Sequence, residues 1–211
     1  MPIFDISIPI SSSLIVWPGQ DAVEMRQLFH LDRGDGATLT RFSMTAHTGT
    51  HLDAPAHFIR GGQTLDAVPL ETLVGPALVV DTGTAEQITV PVLEGLHIPP
   101  GTERILFRTR NSREAVQIGL REFETGFAAI EADAARWLVE RGARLVGVDY
   151  FSVAPWHDLD STHHILLGAG VIALEGLMLR DVAPGAYQLV CLPLRLSGAE
   201  GAPCRAVLLA P

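Results

Sequence analysis

The segment AHTGTHLDAPAHF, residues 46 to 58, places His47, His51, Asp53 and His57 within eleven positions and interrupts them with Gly49 and Pro55. That interruption constrains the local fold more than any other feature of the chain. His47 and His51 have the i, i+4 spacing by which one helix face presents two imidazoles to zinc. Glycine and proline oppose a helix carried through the segment, and Ala54, preceding a proline, is biased toward extended backbone. The expected geometry is a strand end, with His47 at the exit of a half-buried strand starting at Leu39, followed by a tight turn that folds the side chains inward.

Two imidazoles and a carboxylate are suitable ligands for zinc or a neighbouring first-row metal. The alternative is a polar loop whose histidines bond backbone groups. Three of the chain's eight histidines around one acid favour the metal or catalytic reading. A second anomaly is Glu175, which closes the apolar run 165–174 and precedes Gly176, Leu177, Met178 and Leu179. A buried carboxylate costs several kcal/mol unless compensated. Either an arginine, Arg180 or Arg195, or a metal would compensate it, and His163 and His164 lie upstream in STHHILLGAG.

With 211 residues, 47% hydrophobic and 18% charged, the chain is long enough for one sizeable core and is not disordered. A single domain over residues 1–211 is expected. The formal charge of −9 argues against a nucleic-acid surface. No apolar run reaches the roughly 18 residues of a membrane span, and the N-terminus lacks a basic region and is broken by Pro2, Pro9 and Pro18. A cytoplasmic protein follows, with Cys191 and Cys204 as reduced thiols. Strands are expected in IFDISIP, LTRFSMTAHT, ALVVDT, RILFRT, RLVGVDY, GVIALEG, YQLVCLPLRL and CRAVLLA. Helices are expected over residues 128–142 and in STHHILLGAG. The pattern predicts an α/β fold: a mixed β-sheet with flanking helices.

HTGTHLDAPAHF resembles the HxGTHxDxPxHF signature of the cyclase family, which includes bacterial kynurenine formamidases and, as a relative, isatin hydrolase. VWPG near the start, the unit ending in LVGVDY and HHILLGAGVIALEGL extend the likeness over nearly the whole chain. The resemblance implies a swivelling β/β/α-like cyclase fold. It implies His47, His51, Asp53, His163 and Glu175 as metal ligands, with Asp53 and Glu175 bridging two ions. It also implies His57 as proton donor and acceptor, and Trp17 lining the substrate pocket, although Trp17 reads equally well as core. The implied cofactor is zinc, as one or two ions, with manganese as the alternative.

By the same resemblance the activity is metal-dependent hydrolysis of a small amide, an aryl formamide first and an isatin-like cyclic amide next. Other readings are a non-hydrolytic metal-containing binding protein and a polyketide-type cyclase. The resemblance also implies a homodimer or homotetramer. One departure bears on the substrate: kynurenine formamidases carry Asp-Thr-Pro-Ser where this chain has Asp149, Tyr150, Phe151 and Ser152.

Overall fold

The computed structural model describes residues 1–113 and 122–211. In chain order the elements are β1 (Ile3–Asp5), β2 (Glu24–Phe29), β3 (Leu39–Ser43), β4 (His51–Asp53), α1 (Leu70–Leu73), β5 (Val74–Asp81), α2 (Val90–Gly95), β6 (Arg104–Arg108), α3 (Arg110–Arg113), α4 (Ala132–Glu140), β7 (Leu145–Val148), α5 (Leu159–Gly168), β8 (Ile172–Glu175), β9 (Gly185–Pro193) and β10 (Gly201–Leu209). This is the expected α/β fold with a mixed sheet.

Strands β5, β6, β7 and β8 run parallel, in that order. Parallel neighbours need crossovers and two covered faces, so these strands are apolar on both sides. Ile105, Phe107, Val146, Val148 and Ala173 pack toward the helices, with Leu93, Ala134, Leu138 and Leu166. Leu106, Leu145, Ile172 and Leu174 point the other way, into a core shared with Leu52, Leu189, Ala206 and Leu208. Antiparallel strands complete the sheet: β9 beside β5, and β4 beside β8. Strand β10 pairs with β1, β4 and β9, which curls the sheet round on itself.

Four expectations need correction. Residues 128–131 are not helical: Ile88 NH donates to Ala129 O, and Ile130 NH donates to Val153 O, so α4 begins only at Ala132. Strand β3 stops at Ser43 and is exposed along its whole length rather than half-buried. Among the described residues it pairs only with β2, a strand the sequence pattern missed, in a separate two-stranded ribbon. The order in the histidine segment is also reversed: turns occupy residues 46–50, and the strand, β4, begins at His51. Helix α5 begins at Leu159, before the expected STHHILLGAG segment, and its cap is Asp158, whose Oδ1 accepts from Ser161 NH.

Candidate functional site

Strand β4 organises the site. His51 and Asp53 are two residues apart on a strand and therefore share a face. Across the β4–β8 ladder His51 is paired with Glu175, which puts that carboxylate on the same face. All three are buried. Getting β8 this close to the turn before β4 depends on two glycines, Gly49 (φ 66°) and Gly176 (φ 71°), whose backbones touch. Thr50 fastens the contact, donating through Oγ1 to Gly176 O (2.5 Å) and accepting from Ile8 NH (2.9 Å).

The remaining histidines arrive from three directions. His47 lies on the turn before β4, with Nδ1 2.7 Å from Asp53 Oδ1. A 3-10 turn over Pro55–His57 stacks the His57 ring on His47, centroids 3.9 Å apart. His163, on α5, has Nε2 3.3 Å from Glu175 Oε1 and stacks on Phe58 at 4.3 Å. Glu175 Oε1 accepts from Val153 NH (2.7 Å). Glu175 has no arginine partner among the described residues; Arg180 instead donates to Ser112 O. His164 faces outward and donates to Asp160 O.

Two of these imidazoles could act as ligands through Nε2. His51 Nδ1 donates to Gly49 O (3.0 Å) and His163 Nδ1 donates to Leu159 O (2.6 Å), so each Nε2 is left to present a lone pair. His51 Nε2 is buried and has no hydrogen-bond partner among the described residues. It lies 3.3 Å from Glu175 Oε2 and 3.5 Å from Asp53 Oδ1. An orphaned buried nitrogen facing two buried carboxylates fits a cation. Ligand atoms of His51, Asp53 and Glu175 come within 4.8 Å of one another, and so do those of His47, Asp53 and His57. Asp53 belongs to both sets. His163 belongs to neither and reaches the cluster through Glu175.

Burial works against charge on Asp53, but His47 and the neighbouring imidazoles hold its carboxyl below the usual range. Burial and Asp53 raise Glu175, and His163 and His51 bring it down further. Burial disfavours the imidazolium of His47, yet the Asp53 and Glu175 carboxylates lift it to about 9. His57 differs: burial lowers its pKa, and Asp53 does not fully offset this. The two carboxylates thus favour positive charge beside them, on His47 or on a bound cation, while His57 favours its neutral form.

Beside the cluster is a cavity of about 200 Å³, walled by Trp17, Gln20, Phe58, Phe151, Ser152 and Leu159. Trp17 packs against Phe123 (5.1 Å) and Trp156 (5.4 Å), so it is both wall and core. Tyr150 is buried against Phe127 and accepts from Glu124 NH through its hydroxyl. Sequence reasoning missed Gln20, in the cavity wall, and Glu200, whose carboxylate is 3.3 Å from His47 Nε2. A polar or aromatic residue in a loop carries no periodic signal, so nothing in the pattern marked them.

A family model described as "Putative cyclase" matches residues 4–155. The chain belongs to the cyclase family. A kynurenine formamidase of Bacillus cereus is 37% identical over 205 residues, covering 97% of this chain and 95% of that one. A solved structure described as a potential metal-dependent hydrolase with cyclase activity superposes with a TM-score of 0.85 at 34% identity, covering 98% and 96% of the two chains. Isatin hydrolase A from Labrenzia aggregata, bound to benzyl benzoate, superposes at 0.82 with 26% identity, covering 100% and 94%. This cyclase-family likeness therefore spans nearly the whole length of relatives that carry hydrolase names.

Proposed function

We propose that this chain is a metal-dependent hydrolase of a small amide, with an aryl formamide as the preferred substrate class. The observation that carries the reading is the orphaned Nε2 of His51 between Asp53 and Glu175, with His57 stacked alongside. His47, His51, Asp53, His163 and Glu175 would hold one or two zinc ions, or manganese. The metal, when bound, supplies Lewis acidity that eases ionisation of water and polarises an amide carbonyl.

The protein supplies the rest. His57, neutral near pH 7, accepts the proton of the attacking water at a ring nitrogen and returns it to the departing nitrogen. For a formamide the products are formate and the free amine. Trp17, Phe58 and Phe151 offer apolar faces for an aryl ring, and the pocket's small volume favours a small substrate.

A second reading, an isatin-like cyclic amide, is supported by Phe151 in the pocket wall, where the formamidase pattern has proline, and by the likeness to isatin hydrolase A. Metal analysis of the purified protein, with a panel of N-formylaniline, isatin and simple lactams, distinguishes these from a binding protein or a ring-closing cyclase. His57→Ala is expected to retain metal and lose turnover, and His51→Ala to lose metal. Wild-type hydrolysis by both variants refutes the assignment.

The exposed ribbon of β2 and β3 supports a homodimer. A two-stranded ribbon is marginal on its own, and this one exposes Met25, Leu28, Phe29, Leu39 and Phe42. Unpaired Cys191 and Cys204 are compatible with a cytoplasmic location. No helix among the described residues is long and apolar enough to cross a membrane.

A further inference from the structure

The geometry points to Glu200 as a positioning residue that sets which nitrogen of His47 faces the metal; this rests on the metal reading above. His47 has a carboxylate against each ring nitrogen: Asp53 Oδ1 at 2.7 Å from Nδ1 and Glu200 Oε1 at 3.3 Å from Nε2. A neutral imidazole carries one N–H and one lone pair. Asp53 stands inside the donor cluster, common to both sets of converging ligand atoms, so Nδ1 is the nitrogen on the metal side. A ligating Nδ1 must be deprotonated, which leaves the proton on Nε2. Glu200 is then the acceptor for it. The carboxylate fixes both the tautomer and the ring plane, and raises the basicity of the ligating nitrogen.

The chain around Glu200 is held closely enough for this role. Ala54 NH donates to Glu200 O (2.8 Å) and Leu65 NH donates to Ala199 O (2.8 Å), tying the segment before β10 to both sides of the Pro55–His57 turn. Its neighbour Gly201 is paired with Asp53. A Cβ at Gly201 would come within 2.8 Å of His47 Cε1 and 2.9 Å of Leu52 O, so the backbone forms a flat wall against the edge of the His47 ring. The ring is confined by His57 on one face, Gly201 at its edge and a carboxylate at each nitrogen. Because Glu200 is half-exposed, its removal leaves no buried unpaired charge.

The test is zinc and manganese affinity, measured by chelator competition on Glu200→Ala and Glu200→Gln, with the melting temperature of each metal-free protein as a fold control. Glu200→Ala is expected to weaken affinity about 10- to 100-fold. Glu200→Gln, which keeps an acceptor oxygen, is expected to recover most of that loss. In zinc-loaded, 15N-labelled protein, His47 is expected to show a protonated Nε2 and a ligating Nδ1. Wild-type affinity in Glu200→Ala, no recovery in Glu200→Gln, or the opposite His47 tautomer overturns the Glu200 assignment alone. Retention of metal by His51→Ala overturns the metal reading, and this inference with it.

Discussion

His51 and Glu175 face one another as paired residues of adjacent antiparallel strands, ring nitrogen and carboxylate 3.3 Å apart. Strand pairing, not loop flexibility, brings the two distant halves of the site together. The accuracy of the site therefore depends on how closely β8 and the turn before β4 approach.

That dependence is sharpest at Gly176. Its φ of 71° is strained for any other residue, and a Cβ there would overlap the carbonyl oxygen of Gly49. Gly176→Ala is expected to destabilise the fold by more than about 1 kcal/mol and to reduce metal content. Urea denaturation and elemental analysis check both.

Gly62 is required for a different reason. Its φ is ordinary, but a Cβ would sit 2.7 Å from the carbonyl carbon of Pro55 and 2.9 Å from Ala56 N, on the turn that carries His57. Gly62→Ala is expected to shift His57 while sparing His51 and Asp53. Turnover should fall about 100-fold, the cost of roughly 1 Å of misplacement, with metal content unchanged.

Asp81, at the end of β5, accepts from Arg108 and Arg113 and from Gly83 NH (2.8 Å). Burial raises its pKa, but Arg108 and the other donors lower it further, so the folded value lies below the ordinary one. Stability from a depressed carboxyl is present above the unfolded pKa and lost as pH falls through the folded one. Asp81→Asn is expected to cost about 1 kcal/mol at pH 7. The difference from wild type should shrink as pH drops below 3.8, measured by urea melts across pH 2–7.

The β2–β3 ribbon predicts an assembly phenotype. Met25 and Phe42 are directly paired on it and both are exposed. The double change Met25→Glu, Phe42→Glu is expected to convert a dimer to monomer in sedimentation velocity, with the secondary-structure signal of the main sheet retained. An unchanged sedimentation coefficient would place any interface elsewhere.

The parallel strands were legible because burial on both faces writes an uninterrupted apolar run, as in RILFRT and GVIALEG. The histidine segment was legible as chemistry, since Gly49 and Pro55 ruled out a helix and left the donors unexplained. Its order of turn and strand was not, because a three-residue strand is too short to show alternation. Strand β2 escaped notice because EMRQLF has neither face buried, so it lacks the contrast on which periodicity depends. The early start predicted for α4 followed from the helix propensity of Ala128 and Ala129, which tertiary pairing with Ile88 overrides.

Strand β4 lies between β8 and β10, both drawn from the last fifth of the chain. A nascent polypeptide therefore carries His51 and Asp53 without either lateral neighbour until β8 and β10, both far downstream, have been made. Contacts that span so much of the sequence are slow to form, since loop closure must precede any reward. The histidine–carboxylate cradle thus waits on long-range pairing, and truncation anywhere before Gly201 would leave it unbuilt.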